Sequence, residues 1–161
     1  MISQKAKYAF KALVVLARQG IGTSLQTDEI ATQAAIPRKF LEQILLQLKA
    51  NGLVESRRGR SGGYLLVADP ATITVSQVLR IVDGPIAPLT CISRTAYSRC
   101  KDCPDETHCA VRRLFAETYS ATLMRMERMT LAVALADDPP PGSPQLPEPV
   151  ADRPRELADA I

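Results

Sequence analysis

Residues 37–67, P-R-K-F-L-E-Q-I-L-L-Q-L-K-A-N-G-L-V-E-S-R-R-G-R-S-G-G-Y-L-L-V, leave this chain little freedom in how it can fold. Leu41, Ile44, Leu45 and Leu48 recur at i, i+3, i+4 and i+7, the spacing of one apolar face of a helix. Pro37 suits the first turn of such a helix, and Asn51-Gly52 suits its end. Leu53–Arg58 then reads as a strand, 59–63 as a glycine-rich turn and Tyr64–Val67 as the returning strand.

The residues before it complete a pattern. Ser3 can cap a helix running to about Arg18, with Tyr8, Ala12, Leu13, Val15 and Leu16 on one side. Thr27 is the next N-cap candidate. It opens a short helix whose first turn holds Asp28 and Glu29, where the helix dipole favours acids. Two short helices joined by a tight connection, with the hairpin after them, read as a winged helix-turn-helix. Thr74, with Gln77 three residues on, fits the start of a fourth helix ending at Gly84. The expected fold class is therefore mostly α with a small β-hairpin, and residues 1–84 form the winged helix-turn-helix domain.

Residue types on this unit suit DNA. Arg38, Lys39, Glu42 and Gln43 lie at the exposed start of the third helix, the part of a recognition helix that reaches base edges. Arg or Lys can pair with guanine, Gln with adenine, and Glu can accept from cytosine. Arg57, Arg58 and Arg60 on the hairpin can contact phosphates or enter a narrow minor groove. The net charge of +3 is uneven: residues 137–161 hold six acids and two arginines, so the rest of the chain is strongly basic. Such a body expects an anionic partner.

All four cysteines, Cys91, Cys100, Cys103 and Cys109, fall in one loop, spaced C-x8-C-x2-C-x5-C, within an expected cysteine-rich segment 85–110 entered through Pro85 and Pro88. No apolar run approaches a bilayer span, and the N-terminus lacks the pattern of a secretion signal, so cytoplasm and reduced thiols are expected. Three readings of the loop stand open: a closed zinc site, an iron–sulfur cluster, or a dithiol switch at Cys100 and Cys103. Arg94, Arg99, Lys101, Arg112 and Arg113 could help hold thiolates ionised. His108 reads as a solvated loop residue. No nucleophile–base set, phosphate loop or carboxylate pair points to an enzyme.

A long helix is expected over 105–136, with Val111, Phe115, Tyr119, Leu123, Met126, Thr130 and Val133 in a stripe. A helix this long has little of its own chain to pack on, so a homodimer is expected, matching a palindromic site on double-stranded DNA. Met124, Met126 and Met129 read as core filler. Six prolines from Pro139 to Pro149 and the acids that follow read as a disordered tail over 137–161.

Three segments resemble the IscR/NsrR/RirA-type iron–sulfur winged-helix regulators of bacteria. They are K-A-K-Y-A-F-K-A-L at the start, F-L-E-Q-I-L-L-Q-L-K-A-N-G-L-V-E-S-R-R-G-R-S-G-G-Y-L-L, and the cysteine loop with its x5 spacing before a long helix. The resemblance covers about residues 1–135. It implies a transcriptional regulator, usually a repressor, whose operator affinity follows a cluster sensing iron, redox or nitric oxide status, with a crossed-over dimerisation helix. It places base reading on Lys39, Phe40 and Glu42 and a wing contact on Arg58. Its three cluster cysteines match Cys91, Cys103 and Cys109. The fourth ligand of some members, a histidine three residues after the last cysteine, is replaced by Arg112. The acidic first-helix ligand of others is replaced by Tyr8. Cys100 is the residue that would complete the set, for a two-iron or a four-iron cluster. The alternative is a zinc-stabilised or apo winged-helix module that regulates through a metabolic-enzyme partner.

Overall fold

The computed structural model describes residues 2–59 and 62–136. Arg60 and the tail expected over 137–161 lie outside the described residues. The chain is mostly helical with one antiparallel hairpin. In order come α1 (Gln4–Arg18), α2 (Thr27–Ala34), α3 (Arg38–Ala50), β1 (Val54–Arg57), β2 (Gly63–Leu66), α4 (Val75–Asp83), a 3-10 turn (Thr90–Ile92), α5 (Ala110–Arg128) and α6 (Leu131–Leu135).

α1 is the hub, touching α2, α3, α4, α6 and β2. Its buried face explains why. Ala6, Ala9 and Ala12 are fully buried and small, so neighbouring helices approach closely, while Leu13 and Leu16 fill the space between them. The Ser3 hydroxyl accepts from the Ala6 N–H at 2.9 Å, as expected of a cap, and donates to Asp83 Oδ1 at 2.6 Å. Lys5 Nζ donates to the Val82 carbonyl at 3.0 Å, placing a cation at the negative end of α4.

α2 starts one residue from the expected cap. Gln26, not Thr27, holds the N-cap position, and its N–H donates to Glu29 Oε2 at 2.7 Å. The reason is tertiary. Leu25 exchanges backbone hydrogen bonds with Tyr64 of β2 at 2.9 and 2.8 Å, so extended chain continues to Gln26 and Thr27 is already helical. Between α2 and α3, Ala35 takes a left-handed conformation, φ 50°, and Pro37 is the extended residue before α3. α3 buries Leu41, Ile44, Leu45 and Leu48 completely. At about 1.5–3 kcal/mol for each large apolar side chain, this one face is the strongest anchor of the helix pair.

The hairpin pairs Val54 with Leu66, Glu55 with Leu65, Ser56 with Tyr64 and Arg57 with Gly63. Gly63 lies against the Leu25 strand so closely that a Cβ there would sit 2.0 Å from the Leu25 carbonyl oxygen. Its φ of +146° is likewise one that side chains resist. Glycine is needed at this position for the wing to lie on the domain.

The helix expected over 105–136 is shorter and broken. Its first residues form turns instead, because the Asp105 carboxylate accepts from the Thr107 N–H at 2.8 Å and contacts His108. That local bonding competes with a helical turn. α5 therefore begins at Ala110 and ends at Arg128, with Met129 and Thr130 extended. The break is held by backbone bonds from Val75 N–H to the Met129 carbonyl and from Leu131 N–H to the Ile73 carbonyl, 2.9 and 2.8 Å. α6 then packs on α1, with Leu131 in the common core. The apolar stripe splits accordingly. Leu123 is buried and Met126 packs on the core, whereas Val111, Leu114, Phe115 and Met124 are exposed. Met124 is thus surface, not core filler, in the single chain. Among the described residues no helix is long and apolar enough to cross a membrane.

Candidate nucleic-acid interface and cysteine centre

The first turn of α3 stands clear of the body. Arg38, Lys39, Phe40, Glu42 and Gln43 are all exposed, Phe40 at 57%. A phenyl ring is not left in water by core packing, and here its one ring partner is Tyr8 of α1, with centroids 6.4 Å apart and planes tilted by 58°. Arg38 is not free. Its Nη1 lies 2.7 Å from Asp28 Oδ1, and its Nε donates to Glu42 Oε1 at 2.9 Å. The Glu42 hydrogen bond, then the Asp28 charge, raise the Arg38 pKa further above its ordinary value. Arg57 and Arg58, on the wing, are exposed and enter no ion pair among the described residues. α3 reaches the wing directly through Leu53, whose N–H donates to the Leu48 carbonyl at 3.0 Å. A basic helix start and a basic hairpin thus belong to one packed unit. Asp28 and Tyr8 were missed from sequence as parts of this surface. Neither has a local signal, since both meet it only through folding.

The second cluster is the loop. Cys91 is buried in the 3-10 turn, and Cys100, Cys103 and Cys109 are half-buried, all four as free thiols. They line one hollow of ≈ 400 Å³ together with Leu89 and Arg112. Within it the thiols act on one another. A hydrogen bond with Cys91, followed by burial, pushes the Cys100 thiol up. Burial, followed by a hydrogen bond with Cys109, pushes Cys103 up. Cys109 is drawn down, chiefly because it caps α5 and accepts from the Arg112 backbone N–H at 3.4 Å. A thiolate at a helix N-terminus is favoured in just this way. Arg112 also donates from Nε to the Cys91 carbonyl at 3.4 Å, tying the first cysteine to the helix that carries the last. Among the described residues no three His, Cys, Asp or Glu side chains gather around a single metal-ion position. His108 is exposed and pairs with Asp105, outside the hollow's lining.

Comparison with known proteins then gives the family. Residues 2–137 match the model of the Rrf2 family, described as iron-dependent transcriptional regulators. A protein of Rhodobacter capsulatus with the provisional description HTH-type transcriptional regulator rrf2-like is 48% identical over 139 residues, 84% of this chain and 93% of its own. The HTH-type transcriptional regulator IscR of Vibrio vulnificus is 28% identical over 137 residues, 85% of this chain and 78% of its own. Among solved structures, that of CymR, titled the global cysteine regulator of Bacillus subtilis, superposes with a TM-score of 0.68 at 28% identity. It covers 84% of this chain and 95% of that one. With the helix-turn-helix, wing and cysteine loop all lying inside the matched span, the chain belongs to the Rrf2 family of transcriptional regulators.

Proposed function

We propose that this protein is a homodimeric repressor whose hold on a palindromic operator is set by an iron–sulfur cluster on Cys91, Cys100, Cys103 and Cys109. The observation that carries the reading is the gathering of four free thiols around one hollow at the N-terminus of α5. A single tetrahedral ion wants its donors at one point. A cluster of several irons takes thiolates spread over a larger body. The donor set and the hollow therefore fit a cluster, with Cys100 as the fourth ligand. When bound, such a cluster supplies a centre whose charge and integrity respond to iron supply, oxidants or nitric oxide.

The chain's own residues supply the route to DNA. Arg112 joins the Cys91 turn to α5. α5 lies on α4, with Arg80 3.3 Å from Glu127, and Met129–Leu131 is bonded to residues 73–75. A change in the loop's order would thus reach α4, which packs on α1 and α3. In a dimer that movement alters the separation of two reading heads. Lys39, Phe40, Glu42 and Gln43 meet base edges in this reading. Arg38 lies among them, and Arg57 and Arg58 meet phosphates.

The test is anaerobic purification followed by iron and sulfide analysis, visible and Mössbauer spectra, and promoter-fragment binding with and without the cluster. Coloured protein with acid-labile sulfide and cluster-dependent retention is expected. Colourless protein with metal-independent binding would overturn the cluster and favour the second reading, an apo or zinc-stabilised module that regulates through a metabolic-enzyme partner.

A further inference from the structure

α3 opens against the preference of its own dipole. Its first turn carries Arg38 and Lys39 and no acid, at the end of a helix where anions are stabilising. α2 obeys the same preference with Asp28 and Glu29. Arg38 bridges the two helices, with Nη1 on both Asp28 oxygens at 2.7 and 3.0 Å and Nε on Glu42 at 2.9 Å. Its i,i+4 order with Glu42, base before acid, is also the weaker one. All three side chains are at least half exposed, so the network adds little to stability. What it does is fix a carboxylate just inside the first turn of the helix.

Each two-donor edge of the guanidinium has one member already engaged, so Arg38 is poorly placed to fork onto guanine. Glu42 is complementary to it. Oε1 is taken by Arg38, while Oε2 has no protein partner among the described residues. A carboxylate in that state can accept from a cytosine amino group. Left alone it would be repelled by the phosphates on either side, and Arg38 offsets that charge.

We infer that Arg38 is a positioning residue and not a base reader: clamped by Asp28, it holds Glu42 in the pose that discriminates one base pair in each half-site. This deepens the reading of the α3 surface as a DNA-reading one and rests on it. The test is selection from a randomised duplex library with the full-length wild type and the variants Arg38→Met, Glu42→Gln and the double. Wild type enriches a motif. Glu42→Gln relaxes preference at one position by about tenfold, Arg38→Met relaxes the same position, and the double is no worse than Glu42→Gln alone. Thermal melts superpose for all four, which a merely structural role for Arg38 would not allow alongside weakened discrimination. Arg38→Lys, with a point charge and no fork, is intermediate. An Arg38→Met protein that selects the wild-type motif unchanged, or effects that add in the double, overturns the inference and leaves the DNA reading standing. A wild type that enriches no duplex overturns both.

Discussion

Thr130 pairs with Thr74 as an antiparallel bridge, so the residue that interrupts the C-terminal helices lies against the N-cap of α4. The same Thr74 accepts from the Gln77 N–H at 3.2 Å. One short bridge therefore joins the start of a helix in the winged domain to the end of the helix that leaves the cysteine loop.

The core depends on that junction. Leu131, 3% exposed, enters the common core immediately after the bridge. Leu131→Ala should lower unfolding free energy by about 2–5 kcal/mol, the range for deleting a buried leucine. Urea unfolding checks it, with an unchanged slope expected.

Gly63→Ala tests how the wing is seated. Its Cβ would meet the Leu25 carbonyl, and the φ of +146° adds strain. A loss of about 1–3 kcal/mol or more is expected. In hydrogen exchange the Leu25 and Tyr64 amides should lose protection before those of α3.

Arg57 and Arg58 should act without regard to sequence. Replacing either with Ala should weaken binding to all duplexes alike. It should also make the slope of log affinity against log salt shallower, by about 0.9 for each phosphate that is no longer neutralised. A change confined to one motif would instead mean base reading.

The exposed residues Leu114 and Phe115 of α5 should lie in the dimer interface. Leu114→Asp or Phe115→Asp puts a charge into that interface, so sedimentation should move from twice the chain mass toward the single chain as protein is diluted. Folding of the winged domain, whose core excludes both residues, should be retained.

Cysteine variants separate ligands from bystanders. Cys100→Ala and Cys103→Ala, prepared anaerobically, should each lose the visible bands expected of the proposed cluster. Full retention in Cys100→Ala would remove it from the ligand set. Cys109→Ala should also loosen the first turn of α5, because Cys109 caps that helix, and a small loss of helix signal would report it.

Patterns that depend on neighbours along the chain could be read from the chain. The face Leu41–Leu48, the Ser3 and Thr74 caps, the glycine-rich wing and the cysteine spacing are all local, and each element lies where its period or cap put it. What folding decided depends on residues far apart. Leu25 on Tyr64 moved the α2 cap to Gln26, and Ile73–Val75 drew Met129–Leu131 out of a helix that periodicity alone would continue. Asp28 and Tyr8 joined the α3 surface, and the four thiols met in one hollow. The physical reason is common to all of these. A backbone or side-chain group takes the best partner available in space, and the sequence by itself shows only the partners close along the chain.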